Sequence, residues 1–315
     1  MRLFNNMLEM IGNTPLLKLT KVTKNLRFEI WAKAEFLNPS GSVKDRIALY
    51  MIRAAEKSGK LKPGMTLVVP TTGNTGIAFA AVGTYLGYRV MIVMPEEMSE
   101  ERKLILKAYG VELVHTLGGE SDVFHALEYS RKLAEENPDK YCFFDQWSDE
   151  ENVRAHYETT GKEILEQTGG KIDAFVAGVG TGGTLIGITK RLKEHNPDIY
   201  VAGVEPSECP TISLGKWGKH EIEGIGDGFV PEIVKRYKHL VDEWMLISSD
   251  EAIQMARRLA REEGLFLGIS SGANVLAAIR LGQKLKLGSG QRVVTILPDY
   301  GAKYLSTRLV EEGSG

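Results

Sequence analysis

Short apolar runs rich in β-branched residues alternate with longer stretches of helical period along nearly the whole chain. Runs at 29–36, 65–70, 89–95, 111–116, 141–146, 172–179, 200–206, 265–270 and 292–298 predict strands. Segments at 45–59, 75–86, 100–108, 122–136, 152–166, 185–194, 250–263 and 273–286 predict helices. Strands buried on both faces read as continuous apolar runs, so this alternation predicts α/β architecture with parallel sheets covered by helices. No repeat, low-complexity tract or Gly/Ser/Pro linker divides the chain, so a second domain is expected to be interleaved with the first. The charged stretches EEMSEERK (96–103) and SDEENVR (148–154) read as helix starts on a solvated face.

Composition narrows the function classes. The 315 residues carry 39 Lys+Arg against 41 Asp+Glu, a balance that argues against a polybasic nucleic-acid or membrane-surface protein. Two cysteines, Cys142 and Cys209, are too few for a disulfide scaffold and read as packing or loop residues. The six histidines lack metal-ligand spacing, so no metal is expected. The opening MRLFNNMLEMIGN has no long apolar core of a signal peptide, and Gly83, Tyr85, Gly87 and Arg89 interrupt the most apolar stretch. The expectation is a cytoplasmic protein without a membrane span.

Three strand-to-helix junctions are rich in Gly, Ser and Thr: PTTGNTG (70–76), GVGTGGT (178–184) and GISSGAN (268–274). Ligands of doubly wound sheets bind at such junctions, beyond the carboxyl ends of the strands. One alone reads equally well as a helix cap with a glycine turn; three together point to a composite small-molecule site. Gly178, Gly180 and Gly183 also satisfy G-x-G-x-x-G, with Glu205 ending the next strand, which leaves a dinucleotide reading open. Thr181 and Thr184 add hydroxyls that suit a phosphate monoester at a helix N-terminus.

Lys44 sits in NPSGSVKDRIALYMI, where a helix is expected to start near Val43. A cation in a first helical turn opposes the macrodipole, and Asp45 only partly offsets it. Solvated, this lysine is unremarkable; with its protonated form disfavoured, it is an amine nucleophile.

On these residues the sequence resembles the cysteine synthase (O-acetylserine sulfhydrylase) and cystathionine β-synthase family of pyridoxal-phosphate enzymes. The resemblance runs from GNTPLLKL (12–19) to KYLST (303–307) and is carried by NPSGSVKDR, PTTGNTGI, MPEEMSEERKLILKAYGVELV, TTGKEI, GVGTGGT, VEP, EGIGDGFVP and GISSGAN in that order. It implies the tryptophan-synthase-β-like fold, with two interleaved three-layer α/β units. A smaller mobile substrate-binding unit would span approximately 45–147, and a larger cofactor-binding unit 1–44 plus 148–315. It also implies the cofactor pyridoxal 5′-phosphate and a homodimer acting on a small amino-acid donor and a sulfide or thiol acceptor. Serine acetyltransferase is a family partner that no residue here specifies.

By the same resemblance Lys44 holds the cofactor covalently and Asn74 faces its 3′-oxygen. Gly180, Thr181, Gly182, Gly183 and Thr184 cradle its phosphate, and Ser270 faces the pyridine nitrogen, with Ser271 one residue away. Thr71, Thr72, Asn74 and Thr75 take the substrate α-carboxylate, with Gln146 as their partner. A hydroxyl facing the pyridine nitrogen leaves the ring neutral, which suits β-elimination and β-replacement through an aminoacrylate over transamination. The implied activity is L-cysteine synthesis from O-acetyl-L-serine and sulfide.

Three departures bear on specificity. Thr72 stands where the family commonly has Ser; QWSDEEN stands where sulfhydrylases often have an aromatic followed by Asn-Pro, with the neighbouring AHYETT closer to the cystathionine β-synthase side; and Asp227 replaces a small residue near the expected substrate entrance. Asp227 is therefore a candidate substrate-binding residue, alongside the plainer reading of a turn aspartate. No haem-binding segment precedes the motifs and no regulatory module follows them, which favours a stand-alone sulfhydrylase. The alternatives are a cystathionine β-synthase-like or O-phosphoserine-using enzyme, an NAD-dependent dehydrogenase built on the 178–183 glycines, and a non-catalytic binding protein on the same fold.

Overall fold

The computed structural model describes residues 3–117 and 123–310. In chain order the strands are β1 (Leu16–Lys18), β2 (Glu29–Ala34), β3 (Thr66–Pro70), β4 (Arg89–Pro95), β5 (Glu112–Thr116), β6 (Tyr141–Phe143), β7 (Ala174–Gly178), β8 (Tyr200–Pro206), β9 (Glu243–Ile247) and β10 (Arg292–Leu297). One sheet has the order β1-β2-β10-β7-β8-β9 and is parallel except for the β1/β2 pair; the other, β5-β4-β3-β6, is wholly parallel. The chain leaves the large sheet after β2, builds the whole small sheet, and returns at β7. The architecture is the expected α/β one, with two interleaved, mainly parallel sheets.

The helices are α1 (Lys44–Lys57), α2 (Asn74–Tyr85), α3 (Glu100–Ala108), α4 (Phe124–Glu136), α5 (Glu150–Ala155), α6 (Lys162–Thr168), α7 (Gly183–His195), α8 (Thr211–Leu214), α9 (Glu232–Tyr237), α10 (Ser249–Glu263) and α11 (Ile269–Lys284). Helix α2, NTGIAFAAVGTY, is apolar nearly all round and buried from Thr75 to Gly83, as a helix enclosed on every side must be. It packs with Leu67, Val69 and Ile92 of the small sheet, whereas Ile30, Val176, Val204 and Val293 build the core of the large one.

Four expectations need correction. Residues 265–270 make only the bridge Leu267–Tyr300, because α11 already starts at Ile269 and Gly268 lies against Asp299. Strands β1 and β9 were not expected; both are sheet edges, partly exposed and without a buried apolar run. The helix expected at 152–166 is three pieces, α5 and α6 flanking a π-helical turn at His156–Gly161. Helix α4 begins at Phe124, and Asp122 of the expected span falls outside the described residues.

Candidate active site

Strand order fixes where the loops converge. In the small sheet β4 lies on one side of β3 and β6 on the other, so the 71–73 loop after β3 and Gln146 after β6 meet at a switch point. In the large sheet β8 and β10 flank β7, bringing the 178–184 loop beside the end of β10. Between these two switch points lies a cavity lined by Lys44, the 71–75 loop, Gln146, residues of the 178–184 loop, Asp227 and Ser270. The three glycine-rich junctions thus face one space.

Lys44 is the first residue of α1, half-buried, with its backbone N–H donating to Ser42 Oγ at 3.3 Å. Asp45 does not offset it. That carboxylate is turned to Ser40, whose backbone N–H donates at 2.7 Å, and burial pushes it up to about 6 despite these bonds. Lys33 is committed elsewhere, bound to Glu163 at 2.7 Å and to the Thr14 carbonyl at 2.6 Å.

The N-cap residue of α7, Gly182, supplies no side-chain cap and no acid stands in the first turn, so the positive end of the helix favours an anion; Gly183 N–H makes only a long 3.4 Å bond to Thr181 Oγ1. Gly182 holds φ +87°, a Cβ on Gly180 would fall 2.6 Å from the Gly224 carbonyl oxygen, and one on Gly183 only 1.8 Å from Asn152 Oδ1. Side chains are thereby excluded at these three positions, and a phosphate monoester can approach the backbone there. The two hydroxyls of the cradle are oriented by residues the sequence did not mark. Asn152 Nδ2 donates to Thr181 Oγ1 at 2.9 Å, and His156 Nε2 lies 3.2 Å from Thr184 Oγ1. His156 is fully buried; desolvation, then the charges of Arg46 and Lys44, holds its pKa well below the usual range, so the ring is neutral. It sits in the π-helical turn, which presses on α7 so closely that a Cβ on Gly187 would meet His156 Cβ at 2.7 Å and Tyr157 N at 3.0 Å.

The 71–75 loop is held from within. Thr71 Oγ1 accepts from Gly73 N at 2.9 Å, and Thr75 Oγ1 donates to Gln146 Oε1 at 2.6 Å while Gln146 Nε2 reaches the Pro70 carbonyl at 3.2 Å. Arg102 donates to the Thr72 carbonyl at 3.1 Å. Of the two serines, Ser270 lines the cavity and Ser271 does not. Asp227 is buried rather than at an open entrance, and Trp147 Nε1 donates to its Oδ2 at 2.5 Å. Desolvation raises its pKa, opposed by Trp147 and by the charge of Lys44.

The solvated reading of the two charged stretches fails at two positions. Arg102, in EEMSEERK, is 1% exposed and paired with Glu223; Asn152, in SDEENVR, is likewise buried. Glu205 does not face the cavity as a ribose ligand would. It accepts from the backbone N–H groups of Ile212 and Ser213 at 2.7 and 2.9 Å, capping α8.

The comparisons with known proteins agree with this geometry. A family model described as pyridoxal-phosphate dependent enzyme matches residues 7–299. A cysteine synthase of Staphylococcus aureus (strain Mu50 / ATCC 700699) is 47% identical over 309 residues, covering 97% of this chain and 96% of the relative. The crystal structure of a cysteine synthase (OASS) from Entamoeba histolytica superposes with TM-score 0.92 at 42% identity, over 99% of this chain and 93% of the other. That of an O-acetylserine dependent cystathionine beta-synthase from Helicobacter pylori gives 0.91 at 39%, over 99% and 100%.

Proposed function

The chain belongs to the pyridoxal-phosphate dependent enzymes, and from that premise we propose that it makes L-cysteine by β-replacement, from O-acetyl-L-serine and sulfide. One observation carries the reading: the Lys44 amine shares a cavity with the uncapped start of α7 and with the hydroxyl-rich 71–75 loop. A dehydrogenase leaves two of these three elements without a task.

When bound, pyridoxal phosphate supplies an electron sink that lets the substrate lose its Cα proton and its β-substituent. Lys44 would hold the cofactor through its side-chain amine, the group placed to move the substrate Cα proton. The amides of Gly180, Gly182 and Gly183 and the hydroxyls of Thr181 and Thr184 hold the phosphate without a cationic side chain. Asn74 and Ser270 line the cavity, where they would hold the ring oxygen and the ring nitrogen respectively. Thr71, Thr72, Asn74 and Thr75 receive the substrate carboxylate at the start of α2, with Gln146 fixing Thr75 through the 2.6 Å bond. Asp227, which lines the same cavity, bears on the leaving group and acceptor.

The small sheet and its helices, approximately 45–147, form the unit that closes over the substrate and excludes water. Trp147–Asp227 and Arg102–Glu223 contacts join this unit to the 222–228 loop. The enzyme acts on small molecules; we place it in the cytoplasm as a homodimer. Among the described residues no helix is long and apolar enough to cross a membrane.

Borohydride reduction of the loaded enzyme followed by peptide mapping tests the assignment. The pyridoxyl label is expected on Lys44, and Lys44→Ala is expected to abolish sulfide-dependent consumption of O-acetylserine. A label on Lys33 or Lys303 overturns it.

A further inference from the structure

We propose that Lys303 and Asp299 are positioning residues that fix the orientation of the Asn74 amide, presenting its N–H side to the cofactor ring; this rests on the cofactor reading above. Lys303 Nζ donates to Asn74 Oδ1 at 2.8 Å, and Asn74 Nδ2 donates to Asp299 Oδ2 at 2.8 Å. A half-turn of the amide would aim its NH2 group at an ammonium and its oxygen at a carboxylate, so both contacts oppose the rotation. Lys303 is 5% exposed and Asp299 fully buried, so solvent does little to screen the preference. With one Nδ2 hydrogen committed to Asp299, the second is the donor left for an acceptor in the cavity that Asn74 lines.

The clamp is itself braced. Tyr304 donates its hydroxyl to the same Asp299 Oδ2, and Arg102 Nη2 donates to that hydroxyl at 3.2 Å. Lys303 Nζ also reaches the Gly41 carbonyl at 3.3 Å, and the backbone of Asp299 bridges Ser42, two residues before Lys44. One pair of residues therefore registers Asn74 against the loop that presents the amine. This gives the KYLST segment a task that substrate contact does not.

The test is a double-mutant cycle read on cofactor binding. Apoprotein is titrated with pyridoxal 5′-phosphate, with tryptophan quenching giving the dissociation constant and the visible absorption of the loaded protein giving the state of the ring oxygen. Lys303→Met is expected to raise the dissociation constant about fivefold, the scale of coupling between touching residues, and to shift the visible band in the same direction as Asn74→Ala. Lys303→Arg, which keeps the cation, should restore most of both. In an Asn74→Ala background Lys303→Met should add less than about twofold, since its effect passes through the amide. Asp299→Asn supplies an independent arm with the same expected silence in that background. Multiplicative losses in the double variants, or wild-type binding and spectrum in both single variants, overturn the proposal. Wild-type apoprotein that takes up no pyridoxal phosphate overturns the cofactor reading instead.

Discussion

Trp147 and Asp227 are eighty positions apart in the chain, yet the indole N–H of one donates to the carboxylate of the other at 2.5 Å inside the cavity wall. The bond ties the segment after β6 to the 222–228 loop. Burial disfavours the charged carboxylate, and Trp147 and Lys44 only partly compensate. A carboxyl whose folded pKa lies above its unfolded value binds more protons in the native state, so its contribution to stability falls as pH rises through that interval. Asp227→Asn keeps an acceptor for the indole and removes the charge. It should raise the melting temperature at pH 8 by about 2 °C, with a smaller gain at pH 4. Melting curves of both proteins at the two pH values check this; a gain that is larger at pH 4 refutes it.

The phosphate cradle yields a second prediction. Thr181 and Thr184 each have a hydroxyl oriented by a buried neighbour, Asn152 and His156 respectively. Thr181→Val and Thr184→Val should each weaken cofactor retention at least tenfold, the value of a hydrogen bond to a charged group at about 1.5–3 kcal/mol. Dialysis of the loaded variants against buffer, followed by absorbance, measures it. Wild-type retention in both would mean that the backbone amides alone hold the phosphate.

Much of this site was legible because loop chemistry leaves a local trace. A helix start that must bind an anion needs glycines and hydroxyls at fixed offsets, so 178–184 and 71–75 are legible in the sequence alone. Lys44 stood out because a cation opposes a first-turn dipole. What was hidden depends on distant partners. Arg102 sits in a charged run that looks solvated, and only its packing against Thr72, Tyr304 and Glu223 makes it a buried residue. His156 matters because a π-helical turn delivers its ring to Thr184 on another helix, and no spacing rule marks such a turn. Edge strands β1 and β9 escaped for a related reason, since half-exposed strands lack the buried run by which the others are recognised.

A third prediction concerns the buried ionic cluster beneath α1. Arg46, 1% exposed, is bound to Glu35 and Glu163, each at 2.7 Å, and Glu163 also pairs with Lys33 and accepts from Asn13 N at 2.9 Å. Burial alone would raise the Glu163 carboxyl, but Arg46 and Lys33 together hold it at about 2. Because the folded value is depressed, the stabilisation is present above the unfolded pKa of ~4.3 and is lost as pH falls from there toward 2. Glu163→Gln should cost about 3 kcal/mol at pH 7, the scale of breaking a buried pair. Urea unfolding of both proteins at pH 7 and pH 4 should show the difference narrowing in acid. A constant difference would place the effect in packing rather than charge.

The last prediction addresses the donor. Asp227 lies in the same cavity wall as the proposed leaving-group path, so its charge acts on whatever departs from Cβ. At ~5 Å and an effective dielectric of ~20, one unit charge repels another by about 3 kcal/mol. The opposing charge of Lys44, felt at Asp227, reduces this. About a third of it still changes relative rates severalfold. A phosphate dianion suffers this repulsion, whereas a neutral acetyl ester and a free hydroxyl do not. Acetate also leaves more readily than hydroxide, so kcat/KM with sulfide should fall in the order O-acetylserine, then serine, with O-phosphoserine penalised by the charge. In Asp227→Asn the ratio of O-acetylserine to O-phosphoserine should narrow about fivefold, with the serine ratio nearly unchanged. Steady-state kinetics of both proteins with all three donors at pH 8 decide the matter. A wild-type preference for O-phosphoserine, or ratios unmoved by the substitution, would leave Asp227 with only its bond to Trp147.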